Sequence, residues 1–217
     1  MFSEEKKKKI ENFWFYYKWH TIAAIFAAII IAYTVHDAVT KVNPDLGVDI
    51  IMDTGFTYDT AEILSADLET SGIIKDNNGD EKIKSQITIL QTGKDPSTVS
   101  ADGSMMQVVQ LRMAVGEASV VITEPYILDL YAELDIFEDL TSIADEMNIP
   151  AEKRYMSADG TKVAAINIDG CKFLSDKNII TKDCYISHRA LNLDQQKKEE
   201  KTKEHSNAED VIKYILK

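Results

Sequence analysis

The sequence predicts an α/β protein in which one N-terminal transmembrane helix precedes a three-layer α/β domain with a mainly parallel sheet. Two observations support this prediction. Residues 19–36 form an uncharged, apolar stretch, and the segments after residue 45 alternate between strand-like and helix-like hydrophobic patterns. Alternating strands and helices require right-handed crossovers, which make the strands parallel and place helices on both faces of the sheet.

The apolar stretch reads WHTIAAIFAAIIIAYTVH from Trp19 to His36 and contains no Asp, Glu, Lys or Arg. At 1.5 Å per residue, a helix of this length is about 27 Å long, close to the hydrocarbon thickness of a bilayer, about 30 Å. A core helix of a soluble protein is the alternative, but such a helix normally keeps a polar stripe, and this one has none. We therefore expect a membrane-inserted helix.

Basic and aromatic residues precede the apolar stretch and predict its orientation. Lysines are retained on the cytoplasmic side of a membrane, and aromatic rings prefer the headgroup layer. The chain is therefore expected to be a single-pass protein of the cell membrane, with a cytoplasmic N-terminus and an extracellular C-terminal domain. The cleavage-site candidates near Ala32 and Ala38 are poor, which favours an uncleaved signal-anchor. The predicted membrane-interface residues are Lys6, Lys7, Lys8, Lys9, Trp14, Tyr17 and Trp19.

The net charge of the 217-residue chain is −12, and it is unevenly distributed. Residues 1–41 contain six lysines against four acidic residues and carry +2, whereas the remainder contains 18 basic and 32 acidic residues and carries −14. Nucleic acid is excluded as a partner because phosphate binding needs a basic face. The contrast between the two ends suggests that they face different environments.

The predicted organisation follows from these boundaries. It comprises a cytoplasmic basic and aromatic head (1–18), the transmembrane helix (19–36), a linker (37–45), and an extracytoplasmic α/β domain (46–217) with a charged segment at 194–207. The charged segment has no apolar residue and is predicted to be a solvated loop or a frayed helix. Hydrophobic patterns predict strands at 46–52, 82–90, 118–122, 162–168 and 183–187, and helices at 58–71, 104–115, 126–133, 140–147 and 208–216.

Several short motifs resemble the type II periplasmic binding protein superfamily, which includes the extracellular solute-binding proteins of ABC importers. They are VGEASVVI at 115–122, LDIFEDL at 134–140, DGTKVAAI at 159–166, CYI at 184–186 and the closing helix at 208–216. The resemblance implies a truncated fold of this type, reduced in size and membrane-anchored. It implies a solute-binding-like protein that acts as a binding or accessory component of a transport system, beside a membrane transporter or another cell-surface protein.

Ligands of open α/β sheets bind beyond the carboxyl ends of the strands. Polar residues follow three of the predicted strands, and an acidic rim would favour a cation or an amine as the small polar solute. The alternative is that polar residues simply end strands and cap helices. The candidate ligand-binding residues are Asp53, Thr54, Thr92, Thr123 and Glu124.

No nucleophile, phosphate-loop or metal motif occurs, so we expect no catalytic residue, no cofactor and no metal, and not an enzyme. The segment 76–81 partly resembles a calcium loop, but a turn explains it better, since the required Gly and Glu are missing. Cys171 and Cys184 can form a disulfide outside the cell or remain free thiols. The alternative function is a non-enzymatic structural or interaction module that has lost the ligand cleft.

Overall fold

A computed structural model of the chain describes residues 4–40, 44–53, 56–92 and 99–217. The chain divides into two compact units, Met1–Val42 and Asn43–Lys217. The described part of the first unit is a single helix, α1 (Glu4–Thr40). Residues 4–18 of the predicted head and residues 37–40 of the predicted linker therefore belong to the same helix as the apolar stretch. Which part of α1 lies in a bilayer stays a prediction.

The second unit is built on one six-stranded sheet in the order β2-β1-β3-β6-β5-β4. Its strands are β1 (Leu46–Met52), β2 (Ser85–Gln91), β3 (Val120–Thr123), β4 (Arg154–Met156), β5 (Val163–Asn167) and β6 (Tyr185–His188). β1 pairs in parallel with β2 and β3, whereas the pairs β3–β6, β6–β5 and β5–β4 are antiparallel. The α/β class is confirmed, and the sheet is mixed, with β2, β1, β3 and β5 running in one direction and β6 and β4 in the other.

The lengths of the connections explain the parallel pairs and the β4–β5 hairpin. A parallel pair needs a crossover of a dozen or more residues, usually a helix, and α2 (Tyr58–Thr70) and α3 (Val99–Val115) supply these for β1, β2 and β3. β4 and β5 are separated only by residues 157–162, which allows a hairpin and no crossover. The turn contains Asp159-Gly160, and the Ser157 N–H and the Gly160 N–H both donate to backbone carbonyls within it.

Helices cover both faces of the sheet, so the predicted three layers are present. The remaining helices are α4 (Pro125–Tyr131), α5 (Thr141–Glu146), α6 (Lys172–Ser175) and α7 (Glu199–Leu216). One hydrophobic cluster joins α2, α5, α6 and α7 to one face of the sheet, and a second joins α3 and α4 to the other. β1 is buried along its whole length because it lies between these layers.

The side chains of β1 alternate between the two clusters as a strand requires. Val48, Ile50 and Met52 belong to the cluster beneath α7, whereas Ile51 belongs to the cluster beneath α3. Asp49 also points toward α3 by this alternation and is only 2% exposed. The strand read from the sequence as apolar on alternate positions is therefore the buried centre of the domain.

The charged segment 194–207 differs from its prediction. Its residues 199–207 form the first half of α7, a continuous helix in which Glu204 and Asn207 are buried. The Glu204 carboxylate accepts from Gly47 N–H at 3.1 Å and from the Ser119 hydroxyl at 3.0 Å. Buried polar groups are tolerated where they are hydrogen-bonded, so this half of α7 docks through polar contacts instead of apolar ones.

Candidate functional site

The apolar part of α1 has the length and composition needed to cross a membrane. This part, Phe13–His36, is 24 residues long, and none of its most apolar window is buried within the protein. The predicted interface residues Trp14, Tyr17 and Trp19 are 52%, 54% and 72% exposed. Lys6 to Lys9 belong to α1, but their side chains lie outside the described residues. Among the described residues, α1 is the one helix suited to a membrane span; its orientation stays a prediction.

Two threonines interrupt this apolar surface, and both hydroxyls are satisfied within the helix. Thr21 Oγ1 donates to the Tyr17 carbonyl at 3.0 Å, and Thr34 Oγ1 donates to the Ile30 carbonyl at 2.7 Å. An unpaired hydroxyl in hydrocarbon would cost several kcal/mol. Neither threonine therefore opposes insertion of the helix into lipid.

The predicted ligand-binding residues lie together at the carboxyl edge of the parallel strands, which we call the polar edge (Asp53, Thr92, Thr123 and Glu124). Met52 pairs with Gln91, and Ile51 pairs with Thr123. By this register Asp53 lies beside Thr92, and Glu124 follows β3 at the same edge of the sheet. Thr54 lies outside the described residues. The role of these residues in binding a solute stays a prediction.

The polar edge also coincides with the point where the crossover helices change sides. α2 follows β1 and packs on one face, whereas α3, which leads into β3, packs on the other. In an open α/β sheet, this reversal leaves a crevice between the two central strands, here β1 and β3. The fold therefore provides the usual position for a ligand at this edge.

The two threonine hydroxyls of the polar edge are engaged inside the protein. Thr123 is fully buried, and its Oγ1 donates to the Ile51 carbonyl at 2.8 Å. Thr92 is 2% exposed and shares a short hydrogen bond with the Tyr126 hydroxyl. Sequence reasoning missed Tyr126, because nothing local to its helix indicates a partner 34 residues away. The alternative interpretation, that these residues complete the fold, accounts for both hydroxyls.

The carboxylates of the polar edge differ in burial. Asp53 is half-buried, whereas Glu124 is 3% exposed. Glu124 immediately precedes α4, and its carbonyl accepts from Ile127 N–H at 3.1 Å. A carboxylate at a helix N-terminus is favoured by the helix dipole, so Glu124 also serves the fold. Asp53 is the member of the polar edge that solvent reaches most easily.

Both cysteines are free thiols in the structure. Cys171 is half-buried, and Cys184 is fully buried, with its Sγ 3.6 Å from Met52 Sδ. Burial raises the pKa of the Cys184 thiol far above its usual range, and Asp169 adds to the effect. A thiol held neutral and shielded from water reacts slowly, so Cys184 is an inert core residue in the folded domain.

A buried ion pair lies on the face of the sheet that α3 covers. It was not predicted from the sequence. Arg112 of α3 donates Nε and Nη2 to the carboxylate of Asp49 at 3.1 and 2.7 Å. Its Nη2 also lies 3.3 Å from Thr88 Oγ1, and its Nη1 pairs with Glu117. Burial raises the pKa of Asp49 while the Arg112 hydrogen bonds oppose that change. Asp49 was the available sequence signal, since it is the one charged residue within β1.

The segment 76–81, predicted as a turn, is a loop closed by the side chain of Asp76. The Asp76 carboxylate accepts from the backbone N–H groups of Asn78, Gly79 and Glu81 at 3.1, 2.7 and 2.9 Å. These backbone hydrogen bonds lower the pKa of Asp76. Among the residues that the structure describes, no group of three or more His, Cys, Asp and Glu side chains is arranged to hold a metal ion.

Comparisons with known proteins do not assign the chain to a family. No protein-family model, no curated protein and no solved structure matches this chain.

Proposed function

We propose that this chain is a membrane-anchored, solute-binding-like protein that acts as a binding or accessory component of a transport system. In this proposal α1 holds the α/β domain at the outer surface of the cell membrane. The domain belongs to the type II periplasmic binding protein superfamily in a reduced form. Its role is recognition rather than catalysis.

The observation that carries this proposal is the position of the polar edge. Asp53 and Glu124 follow the two central parallel strands at the place where the crossover helices diverge, which is where α/β sheets bind ligands. The carboxylate of Asp53, which solvent reaches most easily, favours a small organic cation or an amine over an anion. The strongly acidic charge of the chain, −12, supports the same class of ligand.

A second candidate function is supported by the engaged hydroxyls of Thr92 and Thr123. Because both donate or share hydrogen bonds inside the protein, the edge offers a solute fewer polar groups than the sequence suggested. A domain whose edge is closed in this way would act as an interaction module for another cell-surface protein. The two candidates differ in whether a small solute stabilises the domain.

Thermal unfolding of the full-length chain in lipid nanodiscs tests the proposal. Unfolding is followed with a thiol-reactive fluorophore, because the buried Cys184 reacts only when the domain opens and both tryptophans lie in α1. A Cys171→Ser background removes the half-buried thiol. We expect one of a panel of small amines (putrescine, spermidine, lysine, arginine or choline) to raise the unfolding temperature. At 100 times its Kd, a ligand adds about 2.7 kcal/mol, several degrees for a domain of this size.

The Asp53→Asn variant should lose this shift, since it keeps the shape of the side chain and removes its charge. Asp194→Asn is the matched control, because the Asp194 side chain is 90% exposed and lies outside the polar edge. If no amine shifts the unfolding temperature, the interaction module is favoured. If Asp53→Asn retains the full shift, the ligand binds elsewhere on the domain.

A further inference from the structure

Two histidines face each other between the sheet and α7. His188 is the last residue of β6, and His205 lies in the first half of α7. The centroids of their rings are 3.9 Å apart, and the ring planes are inclined by 34°. On its outer side, His205 places Nε2 3.2 Å from the carboxylate of Glu138. The pair therefore connects the buried sheet to the solvent side of α7.

His188 occupies a site that does not suit a charge. Its side chain is 4% exposed, and its Nε2 has no hydrogen-bond partner among the described residues. Its pairing partner on β3 is the apolar Val120. The titratable side chain that faces it from α7 is His205, and Glu138 pairs with His205 on the far side. The guanidinium of the adjacent Arg189 donates to the Met113 carbonyl of α3, on the other side of the sheet.

These surroundings keep His188 neutral. Burial, followed by the proximity of His205, lowers the pKa of His188 to about 3. An imidazole exposed to water has a pKa of about 6.5. Between these two values, a state that exposes His188 binds one more proton than the closed state. Acid therefore favours whatever opening brings water to this ring.

The first half of α7 is the element whose movement would expose His188. Residues 199–207 contain no apolar side chain, and this half is held by hydrogen bonds. Glu204 accepts from Gly47 and Ser119, and Asn207 Nδ2 donates to the Lys75 carbonyl at 2.9 Å. The second half, from Ala208 onward, packs in the hydrophobic core. The two halves of α7 therefore differ in what holds them to the sheet.

We propose that the His188–His205 pair makes the docking of residues 199–207 sensitive to acid, so that this half of α7 opens from the sheet more often near pH 5 than near pH 7. The sign follows from proton binding. The closed state excludes the proton that the open state takes up below pH 6.5, so the closed state is favoured as pH rises. For one proton bound with a pKa of about 6.5 in the open state, lowering the pH from 7.5 to 5 increases the equilibrium constant for opening about 30-fold. The proposal does not depend on a ligand at the polar edge.

Hydrogen–deuterium exchange of the full-length chain in nanodiscs tests this proposal. After correction for the intrinsic pH dependence of exchange, the protection of amides in 199–207 should fall about 30-fold from pH 7.5 to pH 5. The protection of β1 amides should stay unchanged, because the opening is local. The ratio of β1 protection to protection of 199–207 should therefore rise by the same factor. Unchanged protection of 199–207 in the wild-type chain would overturn the proposal without any variant.

Substitution of His188 supplies the second arm of the test. In His188→Gln the fall in protection between the two pH values should shrink to less than about threefold, because the side chain no longer takes up the proton. His188→Asn serves as a second variant if the first does not fold. His36→Gln, in α1, is the matched control and should behave as the wild type. A 30-fold fall that persists in a folded His188 variant would assign the acid response to another group.

Discussion

The double substitution Ile25→Arg and Ile29→Arg should remove the chain from the membrane fraction. Both side chains lie one helical turn apart near the middle of the apolar stretch and are 53% and 60% exposed on α1. A central arginine costs about 2.5–3.5 kcal/mol on the insertion scale, whereas an isoleucine contributes only about −0.3 to −0.6 kcal/mol. Two arginines therefore outweigh the apolar residues that remain.

Sedimentation of membranes after an alkaline carbonate wash, with immunoblotting of the pellet and the supernatant, measures this effect. The wild type should stay in the pellet, and the double-arginine chain should not. Ile25→Leu with Ile29→Leu is the matched control, because it keeps the apolar character and should remain in the pellet. Retention of the double-arginine chain in the washed pellet would show that another part of the protein attaches it to the membrane.

Arg112→Ala should destabilise the α/β domain by about 3–5 kcal/mol, because it leaves the carboxylate of Asp49 buried without its partner. The side chain of Asp49 is 2% exposed, and that of Arg112 is 17% exposed. Removing one member of a buried pair costs far more than the pair contributes net, since the remaining charge has lost both its partner and water. The free energy of unfolding of Arg112→Lys should lie between those of the wild type and Arg112→Ala, because lysine keeps the charge but not the paired hydrogen bonds.

Urea unfolding of the full-length chain, followed by near-ultraviolet circular dichroism of the tyrosines, gives the free energies of unfolding. Glu117→Gln is the matched control, because it removes the second partner of Arg112 at a side chain that is 51% exposed. Exposed pairs contribute about 0–1 kcal/mol, so this control should be close to the wild type. A loss under about 1 kcal/mol in Arg112→Ala would mean that Asp49 is neutral or reached by water in the folded domain.

Local sequence patterns were sufficient for the parallel half of the domain. The apolar stretch, the seven-residue strand β1 and the helix α2 have clear periods, and polar residues mark the carboxyl ends of the strands. These features depend on the periodic spacing of apolar residues, which can be read directly from the sequence. The same reasoning located the polar edge, because parallel strands bring their carboxyl ends to one side of a sheet.

The antiparallel half and the contacts at the polar edge depended on partners far away in the chain. β4 has three residues, too few to show a period, whereas β6 was predicted as a strand but takes its direction from its place beside β3. Glu204 looks solvated in the sequence but is buried against Gly47, 157 residues away. The sequence suggests that the Thr92 hydroxyl is available to a solute, but in the structure it shares a hydrogen bond with the Tyr126 hydroxyl. Such contacts are set by tertiary packing and leave no local pattern.

Labelling of intact cells with a membrane-impermeant maleimide tests the central claim, that α1 crosses the membrane and presents the domain outside. The chain carries Cys171→Ser, while Cys184 stays buried. A reporter is placed either at the 76% exposed Leu193 (Leu193→Cys) or before α1 (Ser3→Cys). We predict that Leu193→Cys is labelled in intact cells and Ser3→Cys only after permeabilisation. Protection of Leu193→Cys in intact cells, with labelling after permeabilisation, would contradict the account.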